Sequence, residues 1–265
     1  MNLAERIGNF TSSEIVALIS TGKGNVFGKP ALTYIKECNM ERRLGRSLTN
    51  ESTAKTLSWG KLLEKRVFDL LGTNYTYTAK ATIVHPRYDF WAGSPDGNKY
   101  DDGKTVDDIK CPETLKSFCN LVDPIYNGLQ GIDAMNAIRD NHADGEKYYW
   151  QLVSNGILSE SKYAELIVYV PYKSELDAIR ELTQDYDGNP NDVAWIHFGG
   201  DEALTHLVDG GYYKNINIIR FEIPDSDKNL LTERVLMASK LLIKMPEVLL
   251  ATHEPDHDIV MVQKG

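Results

Sequence analysis

Cysteine is scarce in this sequence, and long apolar runs are absent from it. The three cysteines, Cys38, Cys111 and Cys119, are too few and too scattered for a disulfide framework or a paired-cysteine metal site. They also exclude an iron–sulfur cluster that needs four cysteine ligands. No segment reaches the roughly 18 consecutive apolar residues of a membrane span, and the first residues lack the apolar core of a signal peptide. We therefore expect a cytoplasmic protein with reduced thiols and no membrane partner.

Acidic side chains outnumber basic ones, but the two kinds are unevenly spread. The 265 residues carry 38 Asp and Glu against 29 Lys and Arg, and the net charge of −9 disfavours general binding to nucleic acid. Residues 1–66 contain 11 Lys and Arg against six Glu, which gives this segment +5 and leaves −14 for the rest. A basic segment fits a local phosphate-binding surface. A merely asymmetric soluble protein fits the same numbers almost as well.

Apolar periodicity and turn signals predict a chain of helices and strands. Thr11 and Glu14 form a capping-box pattern that predicts a helix beginning at Thr11, and Pro30 is well placed at the start of a second helix. Further helices are predicted at 52–71, 113–122, 146–158, 174–185 and 228–245, and strands at 75–84, 90–93, 105–111, 165–170 and 216–223. This order predicts an α/β fold with a mixed central β-sheet flanked by helices. Residues 1–172 would form the core, and residues 173–265 an additional C-terminal α/β segment packed on it, within one domain overall.

Two aspartates and a lysine suggest phosphodiester chemistry. Two carboxylates about 4 Å apart repel by roughly 4 kcal/mol at an effective dielectric of about 20, so Asp96 and Asp108 would need a cation between them. Oxygen ligands favour Mg²⁺ or Mn²⁺ over zinc. Lys110 follows Asp108 by two residues and shares its strand face, where its ammonium could orient water or stabilise charge on phosphate. The backbone carbonyl of Ile109 could be a further ligand, and Glu64, on the apolar face of its helix, could hold a metal-bound water or a second ion.

The Asp-x-Lys pattern is not specific by itself, because a chain of this length contains about one such match by chance. Asp102-Gly103-Lys104 and Glu160-Ser161-Lys162 also fit the pattern. They follow turn signals, whereas Asp108 and Lys110 lie on a predicted strand shortly after the Pro-Asp turn at Asp96. From the residues alone, solvated surface charges remain as good an interpretation as a metal site.

Five segments in the same order resemble the phage-type alkaline exonucleases, the family of lambda exonuclease and the YqaJ viral recombinases within the PD-(D/E)xK nuclease superfamily. They are Arg6 to Ser13, Trp59-Gly60-Lys61 with Glu64, Ser94-Pro95-Asp96-Gly97, Asp108 to Pro112, and Tyr148-Tyr149-Trp150-Gln151. The C-terminal third has no match to the family. Here the motif is Asp-x-Lys rather than Glu-x-Lys, and Asn155 stands where many relatives have a tyrosine.

The resemblance implies a restriction-endonuclease-like core and an enzyme that digests one strand of linear double-stranded DNA from its 5′ end. Mg²⁺ would be the cofactor, with Mn²⁺ as a substitute, and an annealing protein would be loaded on the exposed 3′ tail during phage-type recombination. The phage lambda relative is a ring-shaped trimer, so a homo-oligomer is expected, in the host cytoplasm if the gene is phage-borne. By position, Asp96 and Asp108 become metal ligands together with the Ile109 carbonyl, Lys110 the catalytic lysine, Glu64 the helix carboxylate, and Gln151 a neighbour of the scissile phosphate.

An enzyme that starts at an end must recognise that end. Arg6 offers a two-pronged donor for a terminal phosphate, the predicted helix at Thr11 offers free N–H groups, and Ser13 offers a hydroxyl. An ordinary helix cap with a solvated arginine is the better interpretation from spacing alone, but the family match at these positions favours the phosphate site. Ser94 is a weaker addition to it.

Two other functions remain open at this point. A restriction-like endonuclease or nickase would keep the metal site and cut internally. A non-catalytic DNA-binding protein on a nuclease fold would have no need of clustered carboxylates near phosphate, so the intact acidic set argues against it. The aromatic residues Tyr148, Tyr149 and Trp150 could stack on bases, although core packing is favoured for at least two of them.

Overall fold

The computed structural model describes residues 6–48, 55–78, 81–99 and 104–244. Its strands are β1 (Phe10–Thr11), β2 (Tyr75–Tyr77), β3 (Ile83–His85), β4 (Tyr88–Gly93), β5 (Gly97–Lys99), β6 (Thr105–Lys110), β7 (Tyr163–Tyr169) and β8 (Ile216–Glu222). Its α-helices are α1 (Lys29–Leu44), α2 (Lys55–Leu71), α3 (Leu115–Tyr126), α4 (Gly131–Asn141), α5 (Gly145–Leu158), α6 (Leu176–Leu182), α7 (Pro190–His197) and α8 (Asp225–Ser239). None of these helices is long and apolar enough to cross a membrane.

A mixed sheet of five strands lies at the centre, in the order β2-β5-β6-β7-β8. β6 and β7 are parallel, with Asp108 opposite Leu166 and Lys110 opposite Val168, and the other pairs are antiparallel. A smaller sheet has the order β1-β4-β3, and β1 runs parallel to β4. The mixed central sheet predicted from the element order is thereby confirmed.

Helices cover both faces of the central sheet. Val106 and Leu166 belong to the core beneath α5, whereas Ile109 and Ile167 belong to a second core that includes Trp59 of α2. Every residue of β7 after its first is buried, as expected for a strand covered on both sides. The strand that carries the candidate catalytic residues is therefore fixed from two directions.

The prediction of a helix beginning at Thr11 is wrong. Thr11 ends strand β1 and lies opposite Ala92, and only a five-residue 3₁₀ helix follows, at Ile15–Ile19, without a side-chain cap. Phe10, fully buried, lies opposite Trp91 in the same pairing. A capping interaction is worth about 1 kcal/mol, whereas complete burial of a large apolar side chain contributes about 1.5–3 kcal/mol, so the long-range pairing overrides the local signal.

Several other elements differ from the prediction in their boundaries or were not predicted. The strand predicted over 75–84 is divided between β2 in the central sheet and β3 in the smaller one. Three short elements, α4, α7 and β5, had no prediction. The long helix ends before Gly72 as predicted, where φ is +82°, but its predicted start at 52–54 lies outside the described residues, as does everything after 244. β8 pairs with β7, while the division at residue 172 stays a prediction.

Candidate active site

The turn before β5 attaches Asp96 to β6 near the end of that strand. Asp96 Oδ2 accepts a hydrogen bond of 2.7 Å from the backbone N–H of Ile109, between Asp108 and Lys110. Gly97 is required next to it, because a Cβ at this position would collide with the ring of Phe68 on α2. The Pro-Asp-Gly turn and the Asp-x-Lys strand are thus brought together, as the motif predicts.

Both oxygens of Asp108 have a side-chain partner. The Nζ of Lys110 lies 2.7 Å from Asp108 Oδ2, and Nε2 of Gln151 on α5 donates to Asp108 Oδ1 at 2.7 Å. Asp108 has no exposed surface, and a fifth of the Lys110 side chain is exposed. Burial lowers the pKa of Lys110, but the attraction of Asp108 and Asp96 outweighs it and raises that pKa above its usual value. The lysine is therefore charged, and most of its side chain is buried beside Asp108.

Glu64 completes the acidic group from α2. It is half-buried on the edge of the apolar helix face, and its Oε1 has no hydrogen-bond partner among the described residues. Burial raises the pKa of Glu64 to about 7, with a hydrogen bond from Tyr77 opposing and the charge of Asp108 adding to the rise. Burial and the charges of Asp108 and Glu64 raise the pKa of Asp96 well above its usual range. The three carboxyls thus resist simultaneous ionisation.

This donor set fits a hard divalent cation. All of its candidate ligands are oxygens, and a cation would relieve the repulsion that raises the pKa of Asp96 and Glu64. Among the residues described, no three His, Cys, Asp or Glu side chains are grouped as a ready metal cage. A bound ion would therefore need a main-chain oxygen or water as well, which Mg²⁺ accepts readily. The C=O of Ile109 faces the same strand edge as its N–H and lies past the last β5–β6 pair, Gly97 with Asp107.

The residues proposed to bind a terminal phosphate also lie together. Arg6 Nη2 donates to Ser13 Oγ at 3.3 Å, and the hydroxyls of Ser13 and Thr11 are 3.4 Å apart. The hydroxyl of Tyr34 on α1, which the sequence did not suggest, lies 3.3 Å from Thr11 Oγ1 and 2.7 Å from the Thr11 backbone nitrogen. Because no helix begins at Thr11, the predicted contribution of a helix terminus is wrong, and the group consists of side-chain donors.

This N-terminal group is connected to the acidic site through β4. Ser12, next to Thr11, donates its N–H to Ala92 O at 3.0 Å, and its hydroxyl lies 2.8 Å from that of Ser154 on α5, one turn beyond Gln151. A Cβ at Gly93 would collide with Ser12 Oγ, so the glycine allows this close approach. Ser94 is half-buried, with its hydroxyl 3.3 Å from that of Thr82. It lies on the connection from β4 to Asp96.

Two arginines, on helices α1 and α8, bind backbone carbonyls of the N-terminal segment. Arg42 on α1 donates to Gly8 O at 2.7 Å, to Asn9 Oδ1 at 3.0 Å and to Ile243 O at 3.0 Å. Arg234 on α8, almost fully buried, donates to Leu18 O at 2.8 Å and to Ser20 O at 2.7 Å. Part of the positive charge counted in residues 1–66 therefore serves the fold.

The competing Asp-x-Lys matches do not form a comparable site. Glu160 and Lys162 are both exposed, and Lys162 is 3.5 Å from Glu222. Asp102 lies outside the described residues. Asn155, in place of the tyrosine of many relatives, is fully buried, and neither polar atom of its amide has a hydrogen-bond partner among the described residues.

Solved exonucleases have the same arrangement of the chain. The phage-related exonuclease from Haemophilus somnus 129PT matches with a TM-score of 0.61 at 15% identity, over 88% of this chain and 92% of that one. The alkaline exonuclease LHK-Exo from Laribacter hongkongensis matches with a TM-score of 0.54 at 17% identity, over 90% of each chain. The chain has their restriction-endonuclease-like fold. A structure of LHK-Exo in complex with dAMP matches equally well, at 16% identity. No protein-family model matches this chain, and no curated protein matches its sequence.

Proposed function

We propose that the chain is a Mg²⁺-dependent deoxyribonuclease that digests one strand of linear duplex DNA in the 5′ to 3′ direction. The observation that carries the proposal is the convergence on β6, where Asp96 is bonded to the Ile109 N–H while Lys110 and Gln151 hold the two oxygens of Asp108. A chain selected only for stability gains little from burying carboxyls that repel one another. Perturbed carboxyls grouped with a lysine near the end of a central strand are typical of catalytic sites.

Each residue has a chemical task in this proposal. Asp96, Asp108 and the Ile109 carbonyl would hold the cation, with Glu64 reaching it directly or through water. The cation would supply Lewis acidity toward the scissile phosphate and toward water. Lys110, charged and partly exposed, would donate to a phosphate oxygen or orient the attacking water, which favours the transition state because negative charge builds up there.

The preference for an end would come from the group around Arg6. Arg6, Thr11, Ser13 and Tyr34 offer only uncharged hydroxyls and one guanidinium, a set of donors that suits a terminal phosphate. Burial lowers the pKa of Arg6, yet the side chain keeps its charge at any physiological pH because the usual value is so high. Attachment of this segment to β4 would place the terminal nucleotide within reach of Asp96.

The wider role follows from the resemblance alone. A 3′ single strand left by the reaction would be the substrate of an annealing protein in phage-type recombination, and several copies of the chain would enclose the duplex in a ring. Mn²⁺ would replace Mg²⁺ because both ions take oxygen ligands.

Digestion of defined DNA substrates tests the activity. Linear duplex labelled at one 5′ end should be degraded from that end in Mg²⁺ and left intact in EDTA, and closed circular duplex should survive. If the circular duplex is cut, the protein is an endonuclease rather than an exonuclease. If none of the substrates is digested, the proposal is refuted. Asp108→Asn is the inactive variant, matched by Glu222→Gln, an exposed carboxylate on β8.

A further inference from the structure

Two helix side chains hold the catalytic pair of β6 from the same side. Gln151 donates to Asp108, and the ring of Tyr148, one turn earlier on α5, has its centroid 4.7 Å from Nζ of Lys110. Residues three apart on a helix lie on the same face, so α5 controls both members of the pair. Tyr149 and Trp150, between them, are buried in the core as the helical spacing favoured.

Tyr148 is itself supported from behind. Its ring lies 5.5 Å from the imidazole of His142, centre to centre, with 33° between the planes. His142 Nδ1 accepts from the Asp144 N–H at 3.1 Å, and its Nε2 is 2.8 Å from Ser117 Oγ on α3. Burial lowers the pKa of His142, so the imidazole is neutral at pH 7 and its Nε2–H donates to Ser117. The tyrosine ring is therefore placed by two further elements of the fold.

We propose that Tyr148 is a positioning residue for Lys110. A lysine side chain is flexible, and fixing its ammonium in one place costs entropy. The electron-rich face of the tyrosine attracts the ammonium, and Asp108 Oδ2 lies 2.7 Å from the same nitrogen, so two contacts restrain its position. This inference rests on the proposed nuclease function, in which Lys110 acts on the phosphate. Base stacking is the competing role for Tyr148, but its ring already contacts Lys110 and His142.

Two substitutions separate the ring from the hydroxyl. Tyr148→Phe keeps the ring face and should retain kcat within about threefold. Tyr148→Leu removes it and should lower kcat about 5- to 30-fold, the value of a partly desolvated cation–π contact, with KM for DNA changed less than about twofold. A stacking role would instead raise KM in Tyr148→Leu and leave kcat unchanged, which would overturn the proposal. Equal kcat for Tyr148→Leu and the unmodified protein would also overturn it.

A matched control is available on β7. Lys162 Nζ lies 5.0 Å from the ring centroid of Tyr163, a pair of the same chemistry at the opposite end of the strand from the site. Tyr163→Leu should leave kcat and KM unchanged. A loss in this variant equal to that in Tyr148→Leu would assign the effect to general destabilisation and overturn the proposal.

A second measurement does not depend on nuclease activity. The measurement is NMR of protein labelled with [¹³Cε]lysine, in which the Lys110 signal is identified by its loss in Lys110→Arg. The ring current of Tyr148 should displace the chemical shift of this signal. The displacement should persist in Tyr148→Phe and disappear in Tyr148→Leu. If the unmodified protein digests no DNA, the proposed function fails, while this signal still decides whether Tyr148 positions Lys110. An unchanged signal in Tyr148→Leu refutes the positioning whatever the activity.

Discussion

Replacing Glu64 with glutamine should raise the unfolding free energy of the metal-free protein at pH 8. At pH 5 the same substitution should change it only slightly. In the folded protein the pKa of Glu64 is raised from 4.5 to about 7. The unfolded chain therefore releases this proton more readily, and the wild-type protein loses stability as the pH rises from about 4.5 to about 7. Above pH 7 both states are ionised and the loss is complete. Glutamine carries no proton to release, so the variant escapes the loss.

The size of the effect follows from the shift. A rise of the pKa of Glu64 from 4.5 to about 7 corresponds to roughly 3 kcal/mol of unfolding free energy at pH 8. The difference between the two proteins should fall below about 1 kcal/mol at pH 5. Partial exposure of Glu64 makes this an upper value. Chemical denaturation in EDTA at both pH values, for wild type and Glu64→Gln, measures it. The matched control is Glu222→Gln, which lies on the exposed face of β8 and should show no such pH dependence.

Mg²⁺ should reverse the order of the two proteins. A ligand that binds only the folded state adds stability that grows with the logarithm of its affinity, and the wild-type site should bind more tightly because Glu64 can ionise beside the cation. A Glu64→Gln protein that is no more stable than wild type at pH 8 in EDTA would refute the reasoning. So would a gain of equal size at pH 5 and pH 8, since it could not arise from titration of this carboxyl.

Three further outcomes test the remaining parts of the proposal. Asp108→Asn should abolish Mg²⁺-dependent digestion. Lys110→Ala should keep DNA binding and lose about 10²- to 10⁴-fold in kcat. Full activity in either variant would show that the substituted residue is not part of the catalytic site. Duplex with a 5′-phosphate should be digested about 10- to 150-fold faster than duplex with a 5′-hydroxyl, and Arg6→Ala should erase the difference. Light scattering at micromolar concentration should give three times the monomer mass, and a strict monomer would exclude the ring.

The proximity of Asp96, Asp108 and Lys110 could be predicted from the sequence because its signals are local, while their roles stay predictions. The alternation along β6 puts Asp108 and Lys110 on one face, and the Pro-Asp-Gly turn supplies Asp96 only 12 residues earlier. Gln151 lies 43 residues after Asp108, far from any such local signal, and only the resemblance pointed to it. The structure adds its hydrogen bond to Asp108.

What the sequence could not predict depends on contacts between distant segments. Thr11 carries a strong capping pattern, but it pairs with Ala92, 81 residues later, and this long-range strand outweighs the local preference. Tyr34 approaches Thr11 through the packing of α1 against the N-terminal segment. The contact of Tyr148 with Lys110 likewise arises from the placement of α5 across the sheet, which periodicity does not specify.

The two arginine attachments link segments that are far apart along the chain. Arg42 joins residues 8 and 9 to Ile243, and Arg234 of α8 holds the carbonyls of Leu18 and Ser20. Segments joined by buried polar contacts tend to open together in local unfolding, so we expect α8 and the N-terminal segment to unfold as one unit. Helix α8, in the third of the chain where the sequence offered no motif, thus stabilises the part of the molecule that would select the DNA end.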